Sequence, residues 1–142
     1  MGTLLGSLGF SSVAGLAFDP DTDTLYGSDT VWGRLLRIDT STGAGTTIAT
    51  GTTINGLAFD PNSNTLYGTG YSGEFYVIDT SSGASTIVGA TAYSVSALEL
   101  DPDANRLYGT TSNTHELIAI DLATGVPTPI GPLGFPHVVG LA

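Results

Sequence analysis

Short apolar runs alternate with polar turn residues along the whole chain. The first 50 residues contain four such runs, at about 13–19, 24–28, 34–39 and 45–50. Val, Ile, Leu, Tyr and Thr fill these runs, and both their composition and their length are typical of β-strands. Asp-Pro and Asp-Thr-Ser-Thr-Gly sequences separate neighbouring runs and favour tight turns. Because the chain has no capped apolar stripe of helical period, the pattern predicts an all-β fold.

The same pattern returns three times. The motif Gly-Leu-Ala-Phe-Asp-Pro at 15–20 recurs at 56–61 and, as Ala-Leu-Glu-Leu-Asp-Pro, at 97–102, with an offset of 41 residues each time. A Leu-Tyr-Gly motif keeps the same offset, at 25–27, 66–68 and 107–109. An Ile-Asp motif followed by a Gly recurs at 38–43, 78–83 and 120–125, within one residue of this offset. Four strands in each repeat of about 41 residues, joined by hairpins, are typical of a β-propeller blade.

The repeat unit resembles the blades of the YVTN/NHL-type or PQQ-like β-propeller repeat superfamily. The resemblance covers nearly the whole chain and implies an all-β arc of three four-stranded blades in one domain, at about 13–50, 54–89 and 95–131. Within each blade the strands are called A to D, from the innermost to the outermost. The regular tryptophan docking motif of PQQ enzymes is missing, because Trp32 is the only tryptophan. No cofactor is therefore expected.

The two ends of the chain repeat each other. Residues 3–17 match 128–142 at a constant offset of 125, with nine identical pairs. This predicts an extra outer strand at the N-terminus and an extra inner strand at the C-terminus. Three blades are too few for a closed ring, so the favoured interpretation is a scaffold that completes a six-bladed ring as a homodimer. A trimer or an open assembly stays an alternative, and the residues expected to close the ring are Thr3, Leu4, Leu5, Val138 and Leu141.

Charge narrows the range of partners. Thirteen carboxylates face three arginines and no lysine, for a net charge of −10 over 142 residues. Such an acidic surface argues against nucleic acid and against anionic membranes as partners. The chain also has no cysteine, which excludes disulfides and thiol chemistry. No signal peptide or membrane-spanning run is recognisable, so the localisation is unassigned, and an exported parent protein is compatible with the sequence.

One acidic pattern is a weak candidate for a metal site. Asp19, Asp21 and Asp23 alternate with other residues, and the later repeats carry Asp or Asn at the matching positions. Oxygen ligands at this spacing occur in calcium loops, but the loop Gly and the distal Glu of such loops are missing. The favoured interpretation is a hairpin turn between strands A and B, so no metal site is predicted.

The loops between strands D and A and between strands B and C form the expected binding face. They carry the aromatic and histidine side chains that could contact a sugar or a peptide: Trp32, Tyr71, Tyr93, His115 and His137. The alternative is that the aromatic residues cap the packing between blades. The sequence therefore favours a non-catalytic scaffold, with a lectin-like or peptide-binding module as the second hypothesis. A hydrolase or lyase that forms its site only in a full ring is the third, since no catalytic triad spacing is recognisable.

Overall fold

The computed structural model describes residues 2–135, 138, 140 and 141. Within this part of the chain all regular secondary structure is β, and no helix is long and apolar enough to cross a membrane. The strands are β1 (Val13–Asp19), β2 (Thr24–Asp29), β3 (Arg34–Ile38), β4 (Gly45–Thr50), β5 (Gly56–Asp60), β6 (Thr65–Thr69), β7 (Glu74–Ile78), β8 (Ser85–Ala90), β9 (Val95–Asp101), β10 (Arg106–Thr111), β11 (Glu116–Ile120) and β12 (Pro127–Pro132).

The strands form three antiparallel sheets in chain order. The sheets are β1–β2–β3–β4, β5–β6–β7–β8 and β9–β10–β11–β12, and each is called a blade, numbered one to three. The innermost strands lie side by side, β1 against β5 and β5 against β9. This arrangement confirms the predicted arc of three four-stranded blades.

Glycine closes the hairpin between strands C and D in every blade. Gly43, Gly83 and Gly125 have φ angles of 75°, 71° and 70°. Each of their N–H groups donates to the carbonyl of the Asp four residues earlier, at 2.7–2.8 Å. Because residues other than glycine rarely adopt a positive φ, the Gly that follows each Ile-Asp motif fixes the turn.

Two apolar clusters join the blades. Each blade has a leading face, towards the preceding blade, and a trailing face, towards the following one. In the first cluster Ala17, Tyr26 and Leu35 on the trailing face of blade one contact Leu57 and Phe59 on the leading face of blade two. The ring centroids of Tyr26 and Phe59 are 6.2 Å apart across this interface. In the second cluster blades two and three repeat the arrangement with Ala58, Tyr67, Phe75, Leu98 and Leu100.

The outer faces of the arc lack such a neighbour. Leu57 and Leu98 are 2% and 5% exposed, whereas Leu16, at the same position of blade one, is 55% exposed. Phe18 is 47% exposed for the same reason. The repeat predicts that these two residues, like their equivalents, fill a space between blades, but in the single chain no preceding blade covers them. The Leu-Tyr-Gly motif predicts equivalent places for the tyrosines on each strand B, and the structure confirms this: Tyr26, Tyr67 and Tyr108 pair with residues 17, 58 and 99 in one register.

The N-terminal segment lies where the outer strand of a preceding blade would lie. A Cβ atom at Gly6 would overlap the carbonyl oxygen of Thr42, just as one at Gly89 in β8 would overlap that of Thr124 in the next blade. The Gly45 N–H also donates to the Leu8 carbonyl at 3.1 Å. Residues 3–8 nevertheless form no regular strand. The side chains of Leu4 and Leu5 are 90% and 61% exposed, because no strand C of a preceding blade pairs with them.

Val138, near the C-terminus, makes a contact equivalent to one between blades two and three. The side-chain amide of Asn55 donates to the Val95 carbonyl across the interface between blades two and three, at 2.9 Å. The Ser96 hydroxyl, at the matching position of blade three, donates to the Val138 carbonyl at 3.2 Å. Val138 thus takes the place that the inner strand of a following blade would take.

Candidate ligand-binding face

The B–C and D–A loops are joined on one face by a repeated hydrogen bond. The carbonyls of Gly33, Gly73 and His115 accept the N–H groups of Gly51, Thr91 and Leu133 at 2.7–2.9 Å. Gly33, Gly73 and His115 have φ angles of 58°, 92° and 57°. His115 therefore stands at a turn position that glycine occupies in the other two blades, and its backbone has a structural role there.

A cation lies between two aromatic rings in blade one. The guanidinium carbon of Arg34 is 5.6 Å from the Trp32 ring centroid and 5.7 Å from that of Phe10. Arg34 Nη1 lies 3.8 Å from Oδ2 of Asp29, a carboxylate that is 1% exposed. The other carboxylate oxygen of Asp29 accepts the Val31 N–H at 3.1 Å. Arg34 thus makes a cation–π contact with the Trp32 ring, which stays 66% exposed.

A groove of about 360 Å³ lies between blades one and two, beside the B–C loop of blade two. Tyr71, Tyr76 and Glu74 line it, together with four hydroxyl side chains and an aliphatic one: Thr52, Thr53, Ser72, Ser85 and Ile87. The Tyr71 ring is 56% exposed. Glu74 Oε2 accepts the Ser72 N–H at 3.2 Å, which orients the carboxylate towards the loop. The groove therefore combines an exposed ring, an oriented acceptor and several hydroxyl groups.

Burial and the nearby charge of Glu74 raise the pKa of Tyr76 above its ordinary value of 10.0. The Tyr76 hydroxyl is therefore protonated at neutral pH and able to donate a hydrogen bond. The Thr52 and Ser85 hydroxyls contact each other at 2.7 Å and link the D–A loop of blade one to β8. These groups suit a ligand that carries hydroxyls and an apolar face.

The structure does not bring the predicted site residues into one cluster. Tyr71 lies in the groove, whereas Trp32 belongs to the separate cluster around Arg34. Tyr93 is half-buried against the core of blades two and three. His115 is part of the blade-three turn, and His137 lies outside the described residues.

Asp19 serves the turn that follows β1. Its Oδ1 accepts the N–H groups of Asp21 and Thr22 at 3.0 and 3.3 Å, and its Oδ2 accepts the Thr22 hydroxyl at 2.5 Å. Asp23 closes the turn with a φ of 53°. In the described part of the chain no three His, Asp or Glu side chains come close enough together to hold a metal ion. The Asp pattern thus has a local structural explanation.

No protein-family model matches the chain, and no curated protein sequence matches it either. Solved structures do match. The arrangement of the blades is similar to a chain in the crystal structure of a nidogen/laminin complex, with 19% identity, a TM-score of 0.75, and coverage of 90% of this chain and 51% of that one. This chain is an arc of a β-propeller.

Two further structures show how widely the fold is used. A gluconolactonase from Xanthomonas campestris matches with 18% identity and a TM-score of 0.69, over 87% of this chain and 48% of that one. The computationally designed Ika4 protein matches with 18% identity and a TM-score of 0.60, over 100% of this chain and 87% of that one. The propeller arc thus spans about half the length of the nidogen/laminin chain and of the gluconolactonase, and most of the length of the designed protein. Its likeness to an enzyme and to a complex establishes the fold alone.

Proposed function

We propose that the propeller arc is a non-catalytic repeat scaffold that associates with copies of itself to complete a closed ring, as a six-bladed homodimer. The observation that carries this proposal is the exposure of Leu16 and Phe18, at 55% and 47%. Their equivalents in blades two and three are buried at every interface between blades. The leading face is buried by a neighbouring blade in blades two and three and is exposed only in blade one. We infer that the leading face of blade one is complementary to the trailing face of another blade.

The trailing face of blade three is the matching surface. Tyr108 and Leu117 lie there at the positions of Tyr26 and Leu35, and both are half-buried. Ile130 on β12 is 52% exposed. Two copies that meet leading face to trailing face at both junctions would form a ring with twofold symmetry.

Closure requires the overlapping ends to move. Residues 3–8 and Val138 occupy the places that strands of a partner would take. The exposed Leu4 and Leu5 suit strand exchange, because they belong to a segment equivalent to β12 and have no strand beside them. Thr3, Leu4 and Leu5 would then replace the equivalent part of β12 beside β11 of the partner, and Val138 and Leu141 would leave the junction.

Sedimentation velocity over a range of dilutions tests the ring. We expect a species of twice the 14.4 kDa chain mass that dissociates on dilution. Leu16→Asp removes the complementarity of the leading face and should leave single chains. Val31→Asp is the matched control, because Val31 is equally exposed at 56% but lies in a B–C loop. Single chains at high concentration throughout the range from pH 4 to pH 8, or equal effects of the two variants at a pH where the wild type associates, contradict the proposal.

A second candidate function is binding of a neutral saccharide in the groove between blades one and two. The groove supports it, because Tyr71 offers an exposed ring for stacking and Glu74 offers an acceptor oriented by Ser72. A glycan array with the wild-type chain and Tyr71→Ala tests it, and Trp32→Ala is the control for loss of an exposed ring elsewhere. A signal that both variants retain, or no signal from the wild type, contradicts saccharide binding in the groove.

The non-catalytic part of the proposal is supported by the turn position of His115, which Gly33 and Gly73 share in the other blades. A hydrolytic or lyase activity remains the competing hypothesis. A turnover that is measured for the assembled chain and disappears in His115→Gly, with the fold intact, would contradict the scaffold proposal.

A further inference from the structure

The trailing faces of the three blades differ at one central position. Residues 17, 58 and 99 lie opposite the equivalent tyrosines in the same register. Blades one and two carry alanine there, and Ala17 and Ala58 are 8% and 3% exposed. Blade three carries Glu99, which is exposed because no blade follows it.

The two alanines show what a closed junction does with this position. Ala17 packs in the apolar cluster that contains Leu57 and Phe59, and Ala58 packs with Leu98 and Leu100. Both junctions therefore hold a methyl group in a cluster of leucine and aromatic side chains. An ionised carboxylate at the same place would lose its hydration without gaining a partner, which is strongly unfavourable.

The surroundings of Glu99 offer no compensating charge within its own row. Tyr108 is its cross-strand neighbour, and Asp101 and Arg106 are opposite each other in the strand register one step further along the face. Among the described residues, Arg106 forms no ion pair with either carboxylate. Asp101 Oδ1 accepts two N–H groups of the following turn, those of Asp103 and Ala104. Although the Glu99 side chain is exposed in the single chain, desolvation by the surrounding face already raises its pKa above the ordinary value of 4.5. Full burial would raise this pKa further.

The facing surface of a second copy is also apolar at this point. In a ring, Leu16 and Phe18 of the second copy would take the roles of Leu57 and Phe59. The charged groups on that leading face are Asp29 and Arg34, which lie 3.8 Å from each other at the B–C end of the sheet. The apolar surface of the second copy would thus accept a protonated Glu99, whereas burial of an ionised Glu99 against it would be unfavourable.

We propose that Glu99 makes ring closure between copies dependent on acid, so that the junction forms when this carboxyl group is protonated. This inference rests on the proposed function, because it specifies how the same junction is regulated. It assigns to one residue a control that the internal junctions lack, since alanine stands at that position in both.

Sedimentation velocity of the full chain between pH 4 and pH 8 tests the inference. For the wild type, we expect the dimerisation constant to rise by up to about tenfold for each junction and each pH unit of acidification. Glu99→Ala restores the residue of the internal junctions and should dimerise at pH 8 as strongly as the wild type does at low pH. Glu99→Gln removes the charge at nearly constant size, and it should remove the same pH dependence.

Asp21→Asn is the matched control, because it changes the net charge equally at an exposed turn position. It should retain the wild-type pH dependence, which separates Glu99 from the general loss of repulsion in an acidic protein. If copies associate and Glu99→Ala follows the wild-type pH profile, the role of Glu99 is overturned and the ring proposal stands. If wild type and Glu99→Ala remain single chains at every pH, both proposals are overturned.

Discussion

Three leucines at one structural position allow the stability gained by covering the leading face of a blade to be measured. Leu16, Leu57 and Leu98 occupy the same place on strand A of the three blades, and they are 55%, 2% and 5% exposed. We predict that truncation of each to alanine destabilises the single chain unequally. The loss of stability should be large and similar at 57 and 98, and small at 16.

The magnitude follows from burial. Truncation of leucine to alanine removes three carbons, or roughly 2.4 kcal/mol at about 0.8 kcal/mol for each fully buried carbon. At Leu57 and Leu98 a cavity between two blades adds to this, for a total of about 3–5 kcal/mol. Because Leu16 is more than half exposed, its truncation loses less than half of this transfer free energy and leaves no closed cavity. Leu16→Ala should therefore reduce the free energy of unfolding by about 1 kcal/mol.

Urea unfolding followed by circular dichroism measures these differences, at a dilution where sedimentation detects single chains only. The three variants should share one dependence on urea, so that their midpoints report stability directly. An equal loss at 16 and at 57 in single chains would refute the reasoning, because it would mean that the leading face of blade one is covered. At concentrations where copies associate, the cost of Leu16→Ala should grow.

Three further predictions concern the turns and the blade contacts. Hydrogen bonds from Ser41 and Ser81 lower the pKa values of Asp39 and Asp79 from 3.8 to about 2. The stability that these carboxylates contribute is present above pH 4 and lost as the pH falls towards 2, so Asp39→Asn and Asp79→Asn should flatten acid unfolding over this window. Gly89→Ala should destabilise the chain by about 1–3 kcal/mol in urea, because its Cβ would overlap the Thr124 carbonyl. Ala92 has a φ of 57°, so Ala92→Gly should raise the urea midpoint by an amount equivalent to about 0.5 kcal/mol, and a lower midpoint would contradict this.

The repeated blade could be predicted because its signals are local. A positive φ after strand C requires glycine, and Asp39 and Asp79 bond the backbone of their own turns. Such requirements depend on residues two to four positions apart, so they recur wherever the turn recurs. The alternation of apolar and polar residues then assigns the strands between the turns.

The candidate site was predictable only in part. Tyr71 stands out as an aromatic residue in a Gly-rich loop, and the structure finds it exposed in a groove. Tyr76 and Thr52, which line the same groove, carried no signal, because one reads as an ordinary strand residue and the other as a loop threonine. The groove exists only because blade one packs against blade two.

By itself, the sequence of this protein determines the strands, the turns and their grouping into three blades, because each of these depends on short-range backbone geometry and alternation. Only the tertiary structure decided that Leu16 and Phe18 are exposed while Leu57 and Phe59 are buried, although the motifs are identical. It also placed Glu99, which stands where the other two blades have alanine, on the free trailing face of blade three. Burial is a property of the neighbour as much as of the residue, and the neighbour of a blade is specified by packing at long range.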